Sequence, residues 1–106
     1  MSKQEGLFEV DGKFYTLKLN MQKVKQIESM LGVSFVSEIV KSGGMLSFSL
    51  LEAIFSLGLY HTEDEKTVRG KKAQEIFNAL LENEGYVSVA EVAIAKIEED
   101  LGFLFQ

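Results

Sequence analysis

The chain has no cysteine, no proline and only one histidine. The absence of cysteine excludes a disulfide framework and a thiolate metal site, and it fits a reducing compartment. The absence of proline goes with the absence of linkers, internal repeats and low-complexity segments. The 106 residues therefore read as one domain, long enough to bury a core without covalent staples. Long apolar runs are also missing. The longest, Met45 to Tyr60, is interrupted by Ser47, Ser49, Glu52 and Ser56, and is too short to span a membrane. The opening "MSKQEGLFEV" lacks an apolar stretch long enough for a signal peptide. The expected location is the cytoplasm.

Positive charge is in deficit. Eleven Lys and Arg face 16 Asp and Glu, for a formal net charge of −5. Nucleic-acid binders need a basic face to neutralise phosphates, so no nucleic-acid partner is expected. The one basic run, "KTVRGKK" from Lys66 to Lys72, directly follows Glu63, Asp64 and Glu65 and reads as a solvated helix face.

Catalytic signals are poor. His61 lies between an apolar helix and an acidic segment and is expected at the surface, without the orienting partner that a general base needs. The neighbouring acids suit a helix N-terminus. With His61 they lack the i, i+4 pairing or loop spacing of a metal site. "SGGMLS" lacks the lysine and the spacing of a phosphate-binding loop. The chain is expected to be no enzyme and to use no cofactor and no metal.

What is present is helix, with one strand pair at the start. "FEVDGKFYTLKLN" alternates apolar and polar residues around Asp11-Gly12, the preferred pair for a type I′ hairpin turn. That turn sets Phe8 opposite Tyr15, Glu9 opposite Phe14 and Val10 opposite Lys13. Phe8, Val10, Tyr15, Leu17 and Leu19 then form a core face, and Glu9, Phe14, Thr16 and Lys18 an outer face. Nothing else in the sequence clearly reads as a third strand.

Five helical segments follow, at about 21–31, 35–41, 48–60, 66–83 and 89–101, from cap and stop signals. Asn20 caps the first and Gly32 stops it, with Leu19 and Val24 spaced as a hydrophobic staple. Ser34 caps the second, and Ser42 to Gly44 break it. The third starts near Ser47 or Ser49 and is apolar nearly all round, the mark of a central buried helix. Thr62 to Glu65 reads as a capping box for the fourth, although Gly70 argues for a later start. Ser88 to Glu91 is a second capping box, with Val87 and Val92 as its staple, and it opens the fifth. Glu98, Glu99 and Asp100 crowd the C-terminal end of that helix, where the helix dipole disfavours them. The expected fold is α+β, mostly α: an N-terminal β-hairpin, 7–19, packed on a compact bundle of four to five helices.

With no chemistry in sight, surface remains. The fifth helix carries apolar residues over a wider arc than one core contact requires, and the chain ends in "FLFQ". Val89, Val92, Ile94, Ile97, Leu101, Phe103 and Phe105 are the expected partner-binding residues on that basis. Phe103 to Phe105 either fold back onto the core or form an exposed apolar tail. A two-stranded hairpin leaves both edges open. With Phe14 exposed, those edges are expected to support self-association into a homo-oligomer.

The order of elements resembles the small tail assembly chaperones of siphophages and related prophages. In that family a "dGK-Y-L+" hairpin runs into a helix carrying a glutamate and a "-LG-S" end. The matching residues here are Gly12, Lys13, Tyr15, Leu17, Glu28, Leu31, Gly32 and Ser34. A helix ending in a "GL" pair follows, here Gly58 and Leu59. The resemblance implies a non-catalytic chaperone in the host cytoplasm that coats the apolar, helix-rich tape measure protein. It also implies a longer, frameshifted form that recruits tail tube protein, and absence of the chaperone from the mature virion. The competing expectation is a small phage-encoded regulatory or inhibitor protein that docks on a host protein. A helix-turn-helix DNA reader over Ser34 to Tyr60 fits poorly, because the second helix is apolar where a recognition helix needs polar and basic side chains.

Overall fold

The N-terminal hairpin takes its register from two residues. In the computed structural model, which describes residues 7–106, Asp11 and Gly12 have φ of 53° and 78°. Positive φ at both central positions defines the type I′ turn, whose twist matches that of the strands it joins. Strands β1 (Phe8–Val10) and β2 (Lys13–Leu17) pair with Phe8 opposite Tyr15, Glu9 opposite Phe14 and Val10 opposite Lys13, as the turn predicts. The inner residues Phe8, Val10, Tyr15, Leu17 and Leu19 are all buried. The opening residues, read above as free of a leader, lie outside those described.

The hairpin is not left alone, and this corrects the reading of one of its two edges: β2 is covered, while β1 stays the outer strand. Leu59–His61 forms β3 and Lys66–Thr67 forms β4, giving a four-stranded antiparallel sheet in the order β1-β2-β3-β4. Tyr15 pairs with His61 and Leu17 with Leu59, so β3 covers the inner edge of β2. Thr62 to Glu65 is the connecting loop of this second hairpin, with Glu65 at φ 55°, and not a helix cap. The apolar run of the third helix continues straight into Leu59. Periodicity alone therefore extends that helix past Gly58, where it stops.

The helices follow their caps where the caps are clear. Helix α1 (Met21–Leu31) starts at Asn20, whose side chain accepts from the Lys23 amide, and ends at Gly32 in the left-handed region. Ser34 caps α2 (Phe35–Ser42) in the same way. The Glu28 carboxylate also accepts from the Phe35 amide at 2.6 Å, so a side chain of α1 closes the N-terminus of α2. Ser47, not Ser49, caps α3 (Phe48–Gly58). Helix α4 (Gly70–Glu84) starts four residues later than expected, after β4. A single residue, Gly85, then turns the chain into α5 (Tyr86–Leu101). This corner lies upstream of Ser88, so that capping box is unused and Val87 is exposed rather than stapled. The chain closes with a 3₁₀ turn, Gly102–Phe105.

Helix α3 is the centre of this α+β, mostly α fold. It packs against α1, α4 and α5 and runs into β3. Leu50, Leu51, Ala53, Ile54 and Phe55 are all buried. The Phe55 ring lies 5.7 Å from Phe8 in the sheet and 5.1 Å from Phe77 in α4, joining sheet to bundle.

Gly58 marks the closest approach of α3 to the end of the hairpin. A Cβ there would lie 2.8 Å from Leu19 Cδ2 and 3.4 Å from the Lys18 carbonyl oxygen. The Gly58 carbonyl accepts from the Lys18 amide at 2.8 Å, so the backbones are held together. Glycine to alanine in a helix normally stabilises by about 1 kcal/mol. Gly58→Ala is expected instead to destabilise by about 1–2 kcal/mol, because buried Leu19 must shift. Gly102→Ala, with open space around the new methyl, serves as the neutral control. Urea unfolding of the two variants checks this, and equal midpoints for them would disprove the close-approach account.

Candidate interaction surface

The wide apolar arc of α5 is mostly core. Val89, Ile97 and Leu101 are 1%, 2% and 0% exposed, so three of the expected partner contacts are not available on the surface. Val92 and Ile94 are half-buried against the core. The reason is packing on two sides: α5 contacts both α3 and α4, and a helix wedged between neighbours needs a wider stripe than one facing a single partner. The end of the chain is divided. The 3₁₀ turn folds Leu104 onto the core and leaves Phe103 54% and Phe105 37% exposed. Of the expected set, these two phenylalanines are the side chains in water.

Phe14 lies on the outer face of the sheet and is exposed. Its carbonyl accepts from both the amide and the hydroxyl of Thr62, at 3.1 and 3.0 Å. Any self-association there involves the ring, because that stretch of backbone is already paired. Beside it, the Lys18 ammonium sits 3.9 Å from the centre of the Tyr60 ring.

A second apolar patch was not foreseen. Phe48, at the start of α3, is exposed yet stacks on Tyr86 at 6.2 Å and meets Phe77 edge-on at 5.9 Å. Met45 and Val87 are exposed close by in the chain, and the Tyr86 hydroxyl donates to the Leu46 carbonyl. Burial raises the ionisation of that hydroxyl above its ordinary range. The sequence signal was available: apolar residues directly flank the two helix starts.

The acids at the end of α5 have a use. Asp100 accepts from the Leu19 amide at 2.9 Å across 81 positions of sequence, closing the orphan amide between β2 and α1. Buried Lys96 reaches back to Glu99 at 3.1 Å and to Asp100 at 3.5 Å, which offsets their conflict with the helix dipole. Lys23, nearby, donates to the Lys18 carbonyl. Its ammonium ionises below the usual range, chiefly from burial and then from Arg69, with Asp100 opposing.

His61 is buried, not at the surface. It stands in β3 with its ring 5.1 Å from Tyr15, its Nδ1 3.0 Å from an Asp64 carboxylate oxygen, and its Nε2 buried without a hydrogen-bond partner among the described residues. Pairing of β3 with β2 places it there, which reading the segment as helix conceals. Among the described residues no cluster of three or more His, Asp or Glu gathers in a way that would hold a metal. No helix among them is long and apolar enough to cross a membrane. No family model matches the chain, and no curated protein or solved structure matches it either.

Two outcomes test the contacts just described. Asp100→Ala orphans the buried Leu19 amide and is expected to cost about 1–3 kcal/mol, while Asp100→Asn, which keeps an acceptor, costs less. Hydrogen exchange of the Leu19 amide should accelerate in step, and unchanged protection in the alanine variant would remove Asp100 from this role. Tyr15 gives a pH dependence. Burial first, then the Asp11 and Asp64 carboxylates, hold its hydroxyl above the ordinary value of 10.0. The folded state therefore keeps this proton more tightly than the unfolded chain. Its contribution is full below pH 10 and is lost as pH rises through the higher folded value. As pH rises from 10 through the folded value, urea midpoints should fall less steeply in Tyr15→Phe than in the wild type. Parallel curves would count against the assignment.

Proposed function

We propose that the chain is a phage tail assembly chaperone. It keeps the apolar, helix-rich tape measure protein soluble in the cytoplasm of the bacterial host before the tail is built. A longer, frameshifted form recruits tail tube subunits, and the chaperone leaves before the virion is complete. The observation that carries this reading is large apolar side chains left in water on an acidic chain. Met21, Met30 and Met45 are exposed, as are Phe14, Phe48, Phe103 and Phe105. Unbranched methionine adapts to differently shaped helices, and scattered aromatic contacts suit weak, reversible binding. A charge of −5 helps keep many copies in solution.

Within the C-terminal set the contacts are Phe103 and Phe105. Val89, Ile97 and Leu101 are core residues and are not among the contacts. The Phe14 ring is the contact for self-association.

Co-expression with the tape measure product of the neighbouring gene, followed by pull-down, tests the reading. Wild type is expected to hold the partner in the soluble fraction. A Phe103→Glu, Phe105→Glu double variant, checked for native circular dichroism, is expected to hold several-fold less. Equal retention by both would move the surface elsewhere. No retention by the wild type would sink the chaperone reading and bring forward a regulator that docks on a host protein.

A further inference from the structure

Between the end of α1, one face of α3 and the start of α4 lies a half-open groove of about 400 Å³. Met30, Ala53 and Phe77 form apolar wall. Ser49, Glu52 and Ser56 line it from α3, at spacings of three and four residues that place them on one helix face. They are the polar strip of a helix whose other residues are mostly core.

Glu52 is the unusual member. It is half-buried, and among the described residues it has neither a hydrogen-bond nor an ion-pair partner. The other acids in comparable positions are used: Glu28 closes α2 and Asp100 closes the β2–α1 junction. Nothing in the fold uses Glu52. A partly desolvated carboxylate with no partner is unfavourable, and it recovers most from a cation brought to it. Arg69 and Lys71, the chain neighbours of groove-lining Gly70, are exposed and make no ion pair with it.

We infer that the groove receives a basic side chain, carried on an amphipathic helix of the partner, with its charged head at Glu52. The groove is matched to such a group along its length. A long aliphatic stem lies against Met30 and Phe77, and the head donates to the Glu52 carboxylate and to the Ser49 and Ser56 hydroxyls. The source of the helix rests on the chaperone reading; the preference of the groove for a cation with an apolar stem does not.

The test uses n-butylguanidinium, titrated into the full chain and followed by methyl resonances of Met30 and Ala53. Wild type is expected to show saturable shifts at both. Binding is expected to weaken about tenfold or more in Glu52→Gln, and likewise when n-butanol, with the same stem and no charge, replaces the probe. No saturable shift in the wild type overturns the inference. Equal binding by Glu52→Gln or by n-butanol also overturns it, leaving a plain apolar cleft. The pull-down then separates the two ideas. If wild type retrieves the tape measure product and folded Glu52→Gln retrieves it equally, the helix-borne side chain is excluded. If wild type retrieves nothing while n-butylguanidinium still saturates through Glu52, the cation site stands and the chaperone reading fails.

Discussion

Everything in this fold leans on the burial of α3. A helix that is apolar on nearly every face must be surrounded, and here it is, by α1, α4, α5 and the sheet. The aromatic rings trace how this is done. His61 meets Tyr15, Tyr15 stacks with Phe8, Phe8 meets Phe55, and Phe55 meets Phe77, which meets Phe48 and through it Tyr86. One line of rings thus runs from the sheet through the central helix to the first turn of α5. Phe55 is its midpoint and is fully buried. The small sheet is marginal by itself and becomes stable because its inner face completes the cover of α3.

Covering one helix from all sides draws distant segments to common junctions, and their backbone groups must then be paired. Two carboxylates do this. Glu28 spans the tight α1–α2 corner, and Asp100 closes the β2–α1 junction from the far end of the chain. Neither use follows from the neighbouring sequence, because the amides they close lie 7 and 81 positions away. An acidic chain of this size therefore carries part of its negative charge as internal structure. Glu52 stands apart from this pattern because it is half-buried and unpaired.

The same constraint reshapes the functional reading. Most of the residues that carry the resemblance to tail assembly chaperones have structural work. Gly12 makes the turn, Tyr15 and Leu17 fill the core, and Glu28, Gly32 and Ser34 build the α1–α2 corner. Gly58 allows the close approach of α3 to the hairpin, and Leu59 opens β3. They describe a fold, and the proposed function rests instead on apolar side chains that the fold leaves exposed. Helix α5, the natural place to look for a binding face, gives Val89, Ile97 and Leu101 to the core, and of the expected contacts Phe103 and Phe105 are the exposed ones.

The sequence by itself determined the features that depend on near neighbours. The type I′ turn and its register, the Asn20 and Ser34 caps, the left-handed Gly32 and the identity of α3 as the buried helix all follow from residues within a few positions of one another. Tertiary structure decided what depends on distant ones. Leu59 to His61 is strand and not helix because β2 offers it a ladder, and that pairing turns His61 inward. Helix α5 starts at Tyr86 because Gly85 makes a one-residue corner and the Tyr86 hydroxyl finds the Leu46 carbonyl, 40 residues away. Which apolar residues of α5 face solvent was set by the two helices packed on it. Periodicity reports that a stripe is apolar; it does not report how many neighbours the stripe must serve.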